Sequence, residues 1–342
     1  MFDVITIGGA TTDTFIETDR AKIMNIETPT TKHGYLCFDY GEKIEMDQLA
    51  YDIGGGATNA AVNFANLGFK TGIVIKIGED LNSKAILERI EEKNIDTSMV
   101  IKAPDEKSGF SVILTSFEGD RTVLMHRGAN SRIKMNDINK DKIKNTKWIY
   151  FASLSGDSNE ILDELAEFAE QNGIHMAFNP GSAQIKRGLE DLKKTLQTAE
   201  ILIMNRSEAS AITGIPNKPA ESDYINDHNR TEMIIKLKCY GPKIVVITEG
   251  KKGVYAFDGK TRYYVPPFPA KVVSTLGAGD SFASTFVASM IKFDRDIEKS
   301  LKCASINSSQ VIQSFGAQQG LQDFEGIEAL LAKNPGFKVL TK

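Results

Sequence analysis

The sequence contains little cysteine, no excess of basic charge and no long apolar run. Its three cysteines are too few and too widely spaced for a disulfide framework or a zinc site, and they suit a reducing compartment. The formal net charge is −4 and the Lys and Arg residues are spread along the chain, which argues against nucleic acid as a partner. No apolar stretch approaches the length of a membrane span, and FDVITIG near the N-terminus is not preceded by the basic region of a signal peptide. We therefore expect a cytoplasmic protein with no contact to membranes.

Apolar, β-branched runs alternate with amphipathic helical stretches, a pattern typical of a parallel sheet covered by helices on both faces. The chain of 342 residues is long enough for one large domain with an appendage. We expect a single α/β domain, residues 1–342, with a doubly wound, mostly parallel sheet. The predicted strands are residues 4–7, 72–77, 148–152, 175–178, 201–204 and 244–248. The predicted helices are residues 57–67, 84–93, 161–171, 187–198, 208–213, 230–239, 281–291 and 296–315.

Two segments, residues 14–46 and 108–127, interrupt this alternation with strands that have one polar face. In the second segment, apolar residues alternate on both sides of EGD at 118–120, which is typical of a hairpin. Such strands do not easily join a parallel sheet whose order is set by crossover helices. The sequence therefore predicts a small separate antiparallel lid, with edge strands of the main sheet as the alternative.

The run Gly277, Ala278, Gly279 stands directly before Asp280 and a predicted helix. Small residues at a helix start leave several backbone N–H groups free to converge on an anion such as phosphate. A carboxylate at that place would have the task of taking a proton from an attacking hydroxyl group during phosphoryl transfer. The alternative is that Asp280 caps the helix, because Asp is a preferred N-cap residue.

A second glycine cluster, residues 54–56, precedes another predicted helix with Asn59 in its first turn. Backbone amides and one amide side chain can converge there on a polar ligand. A dinucleotide-binding loop would instead follow the first strand and precede an acidic residue about twenty positions later. The first strand is followed here by GGATTD, residues 8–13, which lacks the third glycine of that loop. This argues against dehydrogenase chemistry.

Together the two clusters resemble the paired signatures of the ribokinase-like (PfkB-type) family of sugar and nucleoside kinases. NRSE at 205–208 is similar to the family's Asn-x-x-Glu motif, and TEGKKG at 248–253 is similar to its Thr-x-Gly-x-x-Gly nucleotide loop. FNPG at 178–181 is similar to the Asn-Pro that follows a central strand in the family. These matches occur in order over nearly the whole chain. The first signature is matched at Gly54, Gly55, Ala57, Asn59, Ala61, Gly68 and Gly78, and the second at Gly277, Ala278, Gly279 and Asp280.

The resemblance implies a carbohydrate kinase that moves the γ-phosphoryl group of ATP to a hydroxymethyl group of a small sugar. A nucleoside kinase is the alternative within the class, and a ligand-binding regulator without chemistry is the alternative outside it. In this interpretation Asp280 is the catalytic base, and residues 277–279 form an anion hole for the transferred group. The acceptor is expected at Asp13, Gly54, Gly55 and Asn59.

For the donor, the resemblance implies Mg²⁺ at Glu208. The expected nucleotide-binding residues are Asn179, Asn205, Thr248, Gly250, Gly253 and Asn307. Asn205 and Glu208 are three residues apart, so they share one helix face and can orient Mg²⁺ or its waters. The same spacing also fits a helix capping arrangement. In related kinases the lid often doubles as a dimer interface, so we expect a homodimer through the lid.

Four positions depart from the family pattern. Gly56 and Thr11 stand where true ribokinases have lysine and asparagine, which argues against ribose as the substrate. Ser274 and Leu276 replace an acidic residue and a threonine that the family associates with a monovalent-cation loop. The sequence therefore predicts little activation by potassium.

Overall fold

The computed structural model of the chain describes residues 1–28, 32–115, 121–218 and 227–342. Among these residues, no helix is both long and apolar enough to cross a membrane. The strands are β1 (Phe2–Ile7), β2 (Thr11–Glu17), β3 (Lys22–Glu27), β4 (Lys32–Cys37), β5 (Gln48–Gly54), β6 (Thr71–Val74), β7 (Lys76–Ile77), β8 (Ile101–Lys102), β9 (Gly109–Thr115), β10 (Arg121–His126), β11 (Thr146–Phe151), β12 (His175–Phe178), β13 (Ile201–Asn205), β14 (Ile244–Thr248), β15 (Val254–Phe257), β16 (Arg262–Val265) and β17 (Leu340–Thr341). The α-helices are α1 (Gly56–Asn66), α2 (Leu81–Glu92), α3 (Lys140–Ile143), α4 (Ile161–Gln171), α5 (Ser182–Ile185), α6 (Gly188–Asp191), α7 (Lys193–Thr198), α8 (Arg206–Thr213), α9 (His228–Cys239), α10 (Ala278–Lys292), α11 (Ile297–Val311) and α12 (Phe324–Lys333).

A nine-stranded sheet runs through the core in the order β17-β16-β15-β14-β13-β12-β11-β1-β6. The strands from β14 to β6 are parallel, and β15, β16 and β17 are added antiparallel at one edge. Because side chains alternate along a strand, Val4 of β1 belongs to the apolar core on the face that α1 and α10 cover, while Ile5 belongs to the core on the face that α4 and α9 cover. The predicted doubly wound α/β architecture is confirmed.

Most predicted elements are present, but one predicted strand and one predicted helix are each interrupted in the middle. Residues 72–77 divide into β6 and β7, and β7 pairs with β8 in a small sheet of its own. The helix predicted at 187–198 breaks at Leu192, whose ψ of 3° lies far from the helical value. Elements β12, β14 and α4 have the predicted bounds.

A second sheet, of order β10-β9-β2-β5, is separate from the nine-stranded sheet. We call these four strands the lid sheet. Strand β2 pairs antiparallel with β5 but parallel with β9, because β2 and β9 both begin at the core edge, where Thr11 lies opposite Gly109. The prediction of separate strands is thus confirmed, whereas the segment bounds differ. Strand β5 lies beyond residue 46, and β3 and β4 form their own two-stranded sheet. The predicted EGD turn lies outside the described residues.

The chain passes between the core and the lid sheet at four places, before β2, after β5, before β9 and after β10. The first two of these junctions are neighbours. Three residues separate β1 from β2, and Gly55 alone separates β5 from α1. At the second junction Gly55 has φ of 94°, and a Cβ there would lie 2.4 Å from the Gly9 carbonyl oxygen, so only glycine fits. The carboxyl ends of β1, β12, β13 and β14 open on the same edge of the main sheet, where open α/β sheets bind their ligands.

Candidate active site

Asp280 lies in the first turn of α10, which begins at Ala278. The N-cap residue is Gly277, whose φ of 74° is left-handed, and no side chain caps the helix. Asp280 is therefore not the cap, and its Oδ2 instead accepts a hydrogen bond of 2.7 Å from Asn59 Nδ2 of α1. The first amides of α10, including that of Gly279, have no acceptor four residues back within the helix, so they can bind an anion. The structure thus joins the two glycine clusters in one place.

A cavity of about 290 Å³ lies between this helix start and the lid sheet. Its core side is formed by both glycine clusters together with Asn59 and Asp280. Its lid side carries Ile113, Val123 and Met125, and Arg127 stands at its rim. The cavity therefore combines a polar floor, where a reaction can occur, with an apolar cover.

Asp13 of β2 is the polar group on the lid side of the floor and is only 7% exposed. Its Oδ1 accepts hydrogen bonds from Thr11 Oγ1, at 2.9 Å, and from Ser111 Oγ of β9. Burial raises the pKa of Asp13, and the two hydroxyl groups oppose that effect. A Cβ at Gly54 would lie 2.0 Å from Asp13 Oδ2, so the glycine makes room for this carboxylate. The predicted group of Asp13, Gly54, Gly55 and Asn59 is therefore assembled around the cavity.

Three carboxylates of the site influence one another. Burial raises the pKa of Asp280, the hydrogen bond from Asn59 lowers it, and the negative charge of Asp13 raises it further. Burial also raises the pKa of Glu208, and the charge of Asp280 adds to that effect. Burial raises the pKa of the Tyr150 hydroxyl, again with a contribution from Asp280. Asp280 is thus a stronger base than an exposed aspartate, and the site favours a cation.

Asn205 and Glu208 form a capping arrangement at the start of α8. Asn205 Oδ1 accepts from the Glu208 amide at 2.9 Å, and Glu208 Oε2 accepts from the Asn205 amide at 2.8 Å. Glu208 Oε1 accepts no hydrogen bond from the described residues. The capping interpretation is therefore correct, and it leaves one carboxylate oxygen for a cation.

The other predicted nucleotide residues follow neighbouring strands. Thr248 ends β14 opposite Asn205, and the Gly250–Lys252 turn follows it. Gly253 has φ of 89°, and a Cβ there would meet the Val265 carbonyl oxygen at 2.4 Å. Asn179 follows β12, and its Nδ2 donates to the Ile203 carbonyl at 2.9 Å. These residues line one edge of the sheet, but the amide nitrogen of Asn179 is already bound within the protein.

The structure corrects the prediction for Asn307. This residue of α11 is fully buried. Its Nδ2 donates to Asn63 Oδ1 at 3.1 Å and to Thr285 Oγ1 at 2.9 Å, and its Oδ1 accepts from the Gln322 amide at 2.8 Å. Its side chain ties α11 to α1 and α10 and does not reach a nucleotide pocket.

Two further residues of the site were missed from the sequence. Asn130 holds the Ala10 backbone at the cavity, donating to its carbonyl at 2.7 Å and accepting from its amide at 3.0 Å. Gln318 Nε2 donates to Asn59 Oδ1 at 3.1 Å, so both polar ends of Asn59 are bound to protein. This differs from the predicted role of Asn59 as a free group for the acceptor. Asn130 follows a lid strand in RGAN, a signal that could have found it, whereas Gln318 has no local signal.

Comparison with known proteins gives a consistent result. A family model described as "pfkB family carbohydrate kinase" matches residues 21–323. The ribokinase of Staphylococcus aureus is 27% identical over 290 residues, which cover 84% of this chain and 91% of that protein. The bifunctional ribokinase/ribose-5-phosphate isomerase A of Fructilactobacillus sanfranciscensis is 29% identical over 294 residues, and the chain spans 51% of that relative's length. A solved structure of Arabidopsis thaliana ribokinase complexed with ribose and ATP has the same fold, with a TM-score of 0.78, 23% identity and coverage of 96% of this chain and 98% of that chain.

Proposed function

Because this chain belongs to the pfkB family of carbohydrate kinases, we propose that it transfers the γ-phosphoryl group of ATP to a hydroxymethyl group of a small sugar. Membership of the family makes the protein a phosphotransferase with an alcohol group as acceptor. The observation that carries the proposal is Asp280, which stands beside the anion-binding start of α10 on the floor of the cavity.

This geometry supports the following course for the proposed transfer. Asp280 takes the proton of the acceptor hydroxyl group while the oxygen of that hydroxyl group bonds to the γ-phosphorus of ATP. The bond between the γ-phosphorus and the oxygen that bridges it to the β-phosphorus breaks, and ADP is released. The amides of residues 277–279 stabilise the negative charge on the transferred group. The hydrogen bond from Asn59 favours the ionised form of Asp280 and so opposes the effect of burial, which raises its pKa.

The acceptor is held from the lid side. Asp13 would accept hydrogen bonds from acceptor hydroxyls, since its carboxylate is buried at the edge of the cavity. Ile113, Val123 and Met125 would cover the apolar face of the sugar ring. Movement of the lid sheet towards the core would exclude water, which otherwise competes with the acceptor for the phosphoryl group.

The donor set suits Mg²⁺ bound together with ATP. The part of the chain that the structure describes holds no group of three or more His, Cys, Asp or Glu side chains able to bind a metal ion, so phosphate oxygens would supply further ligands. Glu208 has a carboxylate oxygen without a hydrogen bond, and its repulsion with Asp280 would be relieved by a cation. Mg²⁺, when bound, neutralises phosphate charge. Asn205 would keep the start of α8 in place for this contact.

We also propose that the chain is a homodimer through the lid. Exposed apolar side chains lie on β5 and on the neighbouring β3 and β4, namely Leu49, Tyr51, Met24, Ile26 and Tyr35. Such a concentration of apolar surface is typical of a protein interface. Analytical ultracentrifugation should give twice the monomer mass of 37.6 kDa, and a monomer at micromolar concentration would refute the proposal.

The test of the activity is ADP formation from MgATP with a panel of sugars and nucleosides. We expect turnover with at least one sugar, and Asp280→Asn serves as the control for contaminating kinases. Turnover with nucleosides alone would make the protein a nucleoside kinase. The absence of ADP formation with every acceptor would favour a ligand-binding regulator and would refute the proposed reaction.

A further inference from the structure

A chain of hydrogen bonds runs behind Asp280, away from the cavity. Arg89 Nη1 of α2 donates to Gln318 Oε1 at 2.9 Å. Gln318 Nε2 donates to Asn59 Oδ1 at 3.1 Å and to the Ile53 carbonyl at 2.8 Å. Asn59 Nδ2 then donates to Asp280 Oδ2 at 2.7 Å. The four side chains come from four separate parts of the sequence.

The groups at the two ends of this hydrogen-bond chain determine which atom donates at each step. A guanidinium group can only donate hydrogen bonds and a backbone carbonyl can only accept them. The partners of Gln318 therefore decide the orientation of its side-chain amide: the oxygen must face Arg89 and the nitrogen must face the Ile53 carbonyl. Because that nitrogen also faces Asn59, the Asn59 oxygen points to Gln318 and the Asn59 nitrogen points to Asp280.

The two amides of this hydrogen-bond chain are enclosed, so water does not readily replace them, whereas the Arg89 side chain is 24% exposed. Gln318 is 8% exposed and Asn59 is 7% exposed. Arg89 is itself held by Asp52 of β5, with Nη1 and Oδ1 3.2 Å apart. A reversed Gln318 amide would set its nitrogen against the guanidinium and its oxygen against the Ile53 carbonyl, and both contacts would be repulsive.

We propose that Gln318 and Arg89 are positioning residues, which orient the Asn59 amide so that it donates a hydrogen bond to Asp280 and never presents its oxygen. The proposal rests on the kinase function proposed for Asp280. Neither residue touches the reacting atoms, and their effect is transmitted by the Asn59 amide.

The orientation matters because three ionisable groups near Asp280 oppose its negative charge. Asp13 of β2, Glu208 of α8 and Tyr150 of β11 face it, and none of them donates a hydrogen bond to it. Among the described residues, Asn59 Nδ2 is the donor to the Asp280 carboxylate. If the amide turned, an oxygen would replace that donor and the pKa of Asp280 would rise. Asp280 would then be protonated, and inactive as a base, at a higher pH than in the parent.

The test uses Gln318→Glu, which keeps the shape and the contact with Arg89 but removes the donor to Asn59. The Asn59 amide should then turn its nitrogen to the new carboxylate. The acid limb of the pH profile of kcat/KM, which reports the base in the free enzyme, should move upward by about one to two pH units. Gln318→Leu adds no charge and leaves the Asn59 amide unconstrained, so we expect a smaller shift in the same direction.

Gln319→Glu is the matched control, because it adds the same charge one position away on an exposed side chain. It should keep the parental profile. Parental profiles for both Gln318 variants, in proteins with parental circular dichroism spectra, would overturn the positioning role while the loss of turnover in Asp280→Asn still supported the kinase function. A shift in Gln319→Glu equal to that in Gln318→Glu would also overturn it, since charge alone would then explain the effect.

A second measurement needs no turnover. In protein labelled with ¹³C at aspartate carboxyl carbons, the signal that disappears in Asp280→Asn belongs to Asp280. Its titration midpoint should rise in Gln318→Glu, and an unchanged midpoint would refute the proposal even if no acceptor were found.

Discussion

Asp280→Asn separates the base from every structural role of this residue. The substitution keeps the side-chain shape and can keep the contact with Asn59 through its oxygen. It cannot accept the acceptor proton, so turnover should fall by roughly 10²–10⁴, which corresponds to about 3–5 kcal/mol of barrier. Binding of ATP should persist or tighten, because a negative charge beside the phosphates is removed.

The stability of Asp280→Asn should not fall with its turnover. Burial raises the pKa of Asp280 in the folded protein above its unfolded value. A group of this kind destabilises the folded state once the pH exceeds the unfolded pKa, since the folded protein then holds a proton more tightly than the unfolded chain. At neutral pH the neutral amide avoids that cost. We therefore expect a Tm equal to or above that of the parent.

The contrast is Asp296→Ala, which removes a true helix cap. Asp296 accepts from the Lys299 amide at 2.9 Å at the start of α11, far from the cavity in the fold. This variant should lose about 0.5–2 kcal/mol of stability and keep parental turnover. Turnover, ATP affinity and Tm are measured on both variants. If Asp280→Asn behaved like Asp296→Ala, with lower stability and near-parental turnover, Asp280 would be a structural residue and the mechanism would be refuted.

Three further predictions concern other parts of the site. Gly55→Ala should cost more than about 1 kcal/mol in urea unfolding, because its φ is positive and its Cβ would strike Gly9, and a parental midpoint would contradict this. Glu208→Gln keeps a residue that can form the capping arrangement, so we expect no loss of Tm. The Mg²⁺ concentration needed for half-maximal rate should rise, and an unchanged Mg²⁺ titration would argue against a metal role. Replacing sodium by potassium should change the rate less than severalfold, given Ser274 and Leu276, and a large saturable activation would show this expectation to be wrong.

The sequence predicted the floor of the site because its residues lie in short motifs at the ends of strands. Asn205 and Thr248 end β13 and β14, so strand order alone places them on one edge, and Asp13 lies in β2, shortly after the end of β1. The pairing of Asn59 with Asp280, 221 residues apart, could be anticipated only through the resemblance of both glycine clusters to one family.

The remaining features depend on how distant segments pack. Gln318 lies 259 residues from Asn59, and nothing in its neighbours distinguishes it from an exposed glutamine such as Gln319. The neighbours of Asn307 in the sequence are also polar and do not predict burial, yet the packing of α1 and α10 against α11 buries it. Asn205 and Glu208 could not be assigned to capping or metal binding from spacing, because the same geometry allows both.

Two of the four junctions of the lid sheet touch each other. The Ala57 amide donates to the Gly9 carbonyl at 3.1 Å, so the chain entering β2 and the chain leaving β5 are fastened at one point. The other two junctions lie at the same edge, because Gly109 at the start of β9 pairs with Thr11, and Asn130, four residues after β10, binds Ala10. A tilt of the lid sheet would therefore pivot at this edge, beside the polar floor. With about 3.3 Å per residue, the seven residues of β2 make a lever of roughly 23 Å, so a rotation of about 10° moves its far end by roughly 4 Å. Such a pivot would open the mouth of the cavity for an acceptor while Asp13, close to the pivot, stayed almost still.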